Sequence, residues 1–165
     1  MGVPDPLVKV FMRNPYYDLW EQTLLVGVLA DMKGVKDRKI FIEAATAADE
    51  ESVAVFQRAQ AQLMGLYYDR IKSVEGFVDA NGVPLLLTNN GTIVGIFPFD
   101  HVAWTVRASL KEKAISTALQ KMEGLRGKEL LITGTVVPYA RKVFEDRGWR
   151  VEDRIAERLL KKLEP

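Results

Sequence analysis

The chain is predicted to fold as an α+β protein. Helices come first, followed by an antiparallel meander and a βαβ-like unit that complete one mixed sheet with helices packed on it. Three observations carry this. Apolar residues recur at spacings of three and four through the N-terminal part. Asn81-Gly82 and Asn90-Gly91 each stand between apolar runs, the strongest short hairpin signal. After Trp104 helical and strand patterns alternate. The change of character falls near Ser73 to Gly76. One domain over 1–165 is expected, the alternative being a helical subdomain 5–74 beside an α/β subdomain 75–165.

The elements follow in order. A short helix runs from about Leu7 to Arg13 and stops before Asn14-Pro15. Asp18-Leu19-Trp20-Glu21 has capping-box spacing. Trp20, Leu24, Leu25, Val28, Leu29 and Met32 then share one helical face, and Gly34 lies just beyond. In segment 37–48, Ile40, Phe41, Ala44, Ala45 and Ala48 recur helically, and the alanines favour helix. Asp49-Glu50-Glu51 opens the longest helix, expected over 49–74, with Val53, Phe56, Gln60, Leu63, Tyr67, Ile71 and Val74 as its seam.

Strands are expected at 76–80, 83–88 and 92–97, joined by type I′ turns. Leu85-Leu86-Leu87 and Ile93-Val94 do not alternate, so these strands should be covered on both faces. Ser109-Leu110-Lys111-Glu112 reads as a capping box ahead of a buried face of Leu110, Ala114, Ile115, Ala118, Leu119 and Met122. Glu129 to Thr133 is a strand, Pro138 opens a helix that Gly148 ends, and Trp149 to Val151 is a short strand. Asp153 is read as capping a last helix that carries Ile155, Leu159, Leu160 and Leu163.

Composition narrows the chemistry. The 165 residues are 48% hydrophobic and 27% charged, enough for a sound core and well away from disordered classes. No Cys is present, which excludes disulfides, thiolate metal sites and cysteine nucleophiles. With one histidine, His101, any Ser-His-Asp arrangement would have to use it. The nearest approach to a membrane span, Leu24 to Met32, is too short and is broken by Asp31. The opening Met1-Gly2-Val3-Pro4-Asp5 lacks a basic and apolar signal pattern. The default compartment is therefore cytoplasmic, although a mature exported domain fits as well.

Residues 1–103 hold 9 basic against 13 acidic residues, and residues 104–165 hold 14 against 9. The basic half raises nucleic acid as a partner. Its charges alternate in sign along helices, as solvated faces do, so that reading ranks behind the others.

The most suggestive local feature is Ile132-Thr133-Gly134-Thr135-Val136-Val137-Pro138. A strand leading through Thr-Gly-Thr to a helix start offers backbone N–H groups to an anion. Thr133, Gly134 and Thr135, helped by Arg141, are the candidate ligand residues. The bland alternative is a turn glycine followed by a capping threonine. The stretch through Gly148-Trp149-Arg150-Val151 resembles the opening of BRCT-type phosphopeptide domains, where a strand ending in Thr-Gly also faces phosphate. The likeness covers about 25 residues, and such a domain needs further strands and a helix where only 14 residues follow Val151. It is read as shared α/β grammar.

Asp100-His101 is the one place for a histidine acid–base pair, but neighbours on a strand point to opposite faces. Glu43, Asp69 and Glu75 are carboxylates near apolar faces with nothing in the sequence to unite them. Tyr16-Tyr17 and Tyr67-Tyr68 should each turn one ring inward and one outward. No cofactor and no metal site are expected. The leading expectation is a non-catalytic binding or interaction domain whose partner is another protein. The alternative is a phosphate or anion-ligand domain, or an enzyme, with its site at 133–135.

Overall fold

The computed structural model describes residues 2–71 and 73–161. Four helices come first: α1 (Asp5–Met12), α2 (Leu19–Asp31), α3 (Lys39–Thr46) and α4 (Glu51–Arg70). Asp18 caps α2 as its spacing predicts. Its carboxylate accepts the Glu21 N–H at 2.7 Å, and the Asp18 N–H donates back to Glu21. Neighbouring side chains close the C-terminal ends of α1, α2 and α3. Gln22 donates to the carbonyls of Phe11 and Met12, Arg38 to those of Leu29 and Ala30, and Gln57 to Ala44. These bonds satisfy terminal carbonyls that a helix leaves open, and they tie one helix to the next. Along the contact of α2 with α4, Glu21 faces Arg58 at 3.5 Å and Val28 packs onto Gly65.

The chain then forms β1 (Val74–Asp79), β2 (Pro84–Thr88), β3 (Thr92–Phe97), β4 (His101–Val102), α5 (Val106–Leu119), β5 (Gly127–Ile132), β6 (Thr135–Val136), α6 (Pro138–Asp146), β7 (Trp149–Glu152) and α7 (Ile155–Lys161). The main sheet has the order β1-β2-β3-β5-β7, antiparallel through β3 and parallel from β3 to β7. β4 and β6 form a small parallel pair beyond it. The fold is the α+β arrangement expected, a mixed sheet with helices on it.

Both faces of the sheet are covered, as the unalternating strands require. On one face Val94, Ile96 and Leu131 join Phe11, Leu25, Phe41, Met64 and Leu159 in a core shared with α1–α4 and α7. On the other, Leu85, Ile93, Leu130 and Val151 pack against Ile115 and Leu119 of α5 and Phe144 of α6. Because the first four helices share a core with β1, β2, β3 and β5, limited proteolysis near Ser73 is expected to degrade the whole chain. Two persistent fragments divided at that point would overturn this and favour separate subdomains.

Several local expectations are corrected. Val74 opens β1 instead of closing α4, which ends at Arg70. The first hairpin is type I′, with Asn81 and Gly82 both at positive φ, but at the second only Gly91 is positive. There Gly91 N donates to the Thr88 carbonyl at 2.9 Å, and Thr88 and Thr92 bond across a three-residue loop. A longer loop built on an ordinary turn needs one left-handed residue where a two-residue loop needs two. α5 starts earlier than read: Thr105 caps it, accepting from Ala108 N at 3.1 Å, so Ser109 lies inside the helix. The early start turns Leu110 outward, 64% exposed, and Glu112 inward. Trp20, at the first turn of α2, is also exposed. Asp153 accepts from Val136 N and pairs with Arg141. In the last helix Ile155 and Leu159 are buried. Leu163 and the side chain of Leu160 lie outside the described residues. No helix among those residues is long and apolar enough to cross a membrane.

Candidate functional site

The parallel register of β3 with β5 brings Phe97 opposite Ile132, so the chain leaving β3 runs directly beside the Thr-Gly-Thr segment. Thr133, Gly134 and Thr135 do come together at the carboxyl end of β5. Their N–H groups point at protein carbonyls, donating to Phe97 at 3.3 Å, Phe99 at 2.8 Å and Asp100 at 3.0 Å. The Thr133 hydroxyl adds a bond to the Phe99 carbonyl at 3.0 Å. An anion could use these donors only by displacing those carbonyls. Arg141 is turned away toward β7, where it donates to the Val151 carbonyl at 2.7 Å and pairs with Asp153 at 3.1 Å.

Thr135 does not cap α6. Val137 holds that position without a side-chain bond, and Thr135 lies in the β4–β6 pair opposite His101. Gly134 has no left-handed backbone. A Cβ there would stand 1.9 Å from the Asp100 carbonyl oxygen, so close approach, and not turn geometry, requires the glycine.

His101 Nδ1 and Thr135 Oγ1 lie 3.0 Å apart on the exposed surface. This is the spacing of a base and a nucleophile. The nearby main-chain donors of the kind that stabilise an oxyanion are already spent on residues 97–100. Glu75 pairs with Lys36 at 3.1 Å, and no group of three or more His, Asp or Glu gathers to hold a metal among the described residues.

Sequence reading missed the densest polar cluster. Glu112, 5% exposed on α5, receives three donors: Arg147 at 2.6 Å, Ser116 at 2.6 Å and the Trp149 indole N–H at 3.0 Å. Lys128 of β5 donates to Ser116 at 3.3 Å and to the Arg147 carbonyl at 2.9 Å, with its ammonium 4.7 Å from the Trp149 ring centre. Arg147 lies over Trp104 at 4.9 Å. The visible signal was Glu112, Ile115 and Leu119 at spacings of three and four, a carboxylate on an apolar stripe.

Burial alone would raise the Glu112 carboxyl, but the bonds from Ser116, Trp149 and Arg147 hold it below the ordinary carboxylate range. Lys128 is lowered chiefly by burial, helped by the Arg147 charge and opposed by Glu112. A carboxylate with three donors is a poor proton acceptor. The cluster is a clasp joining α5, β5 and the α6–β7 turn.

Exposed apolar groups also occur at the N-terminal ends of α2 and α4. Gln60 of α4 donates to the Ile96 carbonyl near the end of β3, and one turn earlier Phe56 packs on Phe99 with ring centres 5.1 Å apart. Beside them Arg58 covers Trp20 at 5.4 Å. Leu19 is 72% exposed and Trp20 59%, with Tyr16, Val55 and Phe99 each about two-fifths exposed. Comparison of the chain with family models, curated proteins and solved structures finds no match.

Proposed function

We propose that this chain is a non-catalytic protein-binding domain that docks its partner at the apolar surface around Leu19, Trp20, Val55 and Phe99. The observation that carries the reading is the exposure of an indole and several aliphatic and aromatic side chains around one end of the α2–α4 pair. Large exposed apolar groups that cluster, in contrast to scattered ones, mark interaction surfaces, and Trp, Tyr and Arg supply most of the energy in such contacts. The spent donors around Thr135 support a binding role over acyl-transfer chemistry.

The test is a photo-crosslinking amino acid at position 20, expressed in cells that make the protein. A discrete crosslinked heterologous polypeptide is expected, lost when Leu19→Ser is added and unaffected by His101→Ala or Thr135→Ala. No product above that of the same label at exposed Lys142 would overturn the proposal. So would a measured turnover that falls on changing His101 or Thr135. The second reading, an anion ligand at Thr133, Gly134 and Thr135 with Arg141, rests on the strand-end position of those residues. A rise in melting temperature with inorganic phosphate, beyond that with equal sulfate-free salt, would support it.

A further inference from the structure

α5 has a second surface, on the face of the sheet opposite α2 and α4. An open groove of about 360 Å³ runs between this helix and the β1–β2 turn. Leu110, Ala114 and Ala118 line it as one row, Lys113, Thr117 and Lys121 as the next, and Asn81 joins them from the turn. Val106, one turn before Leu110, extends the apolar stripe and is 78% exposed.

The charges on this helix all have one sign where they face solvent. Arg107, Lys111 and Lys113 are exposed, as is Lys121 two residues beyond the helix end, and none of the four has an ion-pair partner among the described residues. The helix's single carboxylate, Glu112, points inward and is spent on Arg147, Ser116 and Trp149. A solvated helix would mix signs at spacings of three and four. Here an apolar row runs beside cations with nothing to neutralise them.

We propose that this groove docks an amphipathic, acidic α-helix of a partner protein. Its apolar seam would lie on Leu110, Ala114 and Ala118 while carboxylates on one flank meet Lys113 and Lys121. The lining comes from one face of α5 and from Asn81 of the β1–β2 turn, so the partner must satisfy its own backbone, as a helix does. Nucleic acid fits less well, because the lining has no aromatic ring on which a base could stack. A membrane fits less well, because beside Leu110 the lining is alanine, threonine, asparagine and lysine, with little apolar bulk to insert. Complementary charge would also speed encounter and make it sensitive to salt. This surface is separate from the one at Trp20, so either proposal can fail alone.

The probe is a fluorescein-labelled 18-residue synthetic helix with leucines along one seam and glutamates on both flanks, read by anisotropy with the full chain. It should bind at least about tenfold more tightly than a permuted peptide of the same composition, and weaken as salt rises. The pair Lys113→Glu and Lys121→Glu should lose at least about tenfold, and Lys113→Gln with Lys121→Gln less, whereas Lys33→Glu should change nothing. Amide shifts in nuclear magnetic resonance should map to 106–121. Equal binding of the permuted peptide, or shifts confined elsewhere, would overturn the proposal. So would tighter lysine-dependent binding of single-stranded DNA or of vesicles containing phosphatidylserine.

Discussion

Gly134→Ala is expected to be the most damaging small substitution in the chain. Its added Cβ would lie 1.9 Å from the Asp100 carbonyl oxygen, 2.4 Å from its carbon and 2.6 Å from its Cα. All three are backbone atoms, and none can move aside by changing a rotamer. Asp100 itself is held, since its carbonyl accepts the Thr135 N–H and its neighbours pair through β4 and β6. Separating the strands would break those bonds and uncover part of the core beneath.

A loss of at least about 3–4 kcal/mol is expected, the range of severe overpacking, with a melting temperature lower by roughly 10 °C or more. Gly127→Ala is the control. Its Cβ would meet only the Thr92 side chain, at 3.7 Å. It should lie within about 0.5 kcal/mol of the parent, since alanine restricts the unfolded chain more than glycine does. Denaturant melts of the two variants would check this. Equal stability would show that the 97–100 and 133–135 segments are not locked together.

Glu112→Ala is expected to cost about 3 kcal/mol. It removes the acceptor for the Trp149 indole and Ser116 and leaves Arg147 without its partner. Glu112→Gln keeps an acceptor and nearly the same volume, so roughly half that loss is expected. The two variants should also differ from the parent in acid.

The Glu112 carboxyl is held below its ordinary range in the folded state, as is Glu152, where Arg150 and Arg158 outweigh the effect of burial. A lowered folded pKa stabilises above the unfolded value, about 4.3, and that contribution disappears as pH falls through the folded value. Stability should therefore decline below about pH 4.5 in the parent, and less steeply in Glu112→Gln. Urea melts between neutral and acid pH would measure it. An identical acid slope in both proteins would remove Glu112 from the account.

Much of the architecture was legible because it depends on neighbours in sequence. Asp18 and Glu21 cap each other across three residues, and Asn81-Gly82 makes its turn from its own backbone preferences. Tyr17 turns inward and bonds the Ala45 carbonyl while Tyr16 stays exposed, the division that adjacent positions on a bend suggest. The candidate site was legible only as a location. Its glycine was noticed for turning, yet it is required for crowding, and its N–H groups have long-range partners that no local pattern encodes.

From the residue order alone came the helix-to-strand change near Ser73 to Gly76, the meander, and the burial of the central strands on both faces. Those follow from periodicity, caps and turns, which act over a few residues. Packing decided the rest: that Gly134 meets Asp100, that Glu112 faces Trp149 across a distance of 37 residues, and that Leu110 and Trp20 stay in solvent. Which partner satisfies a donor, and which face of a helix is covered, depends on segments remote in sequence meeting in space.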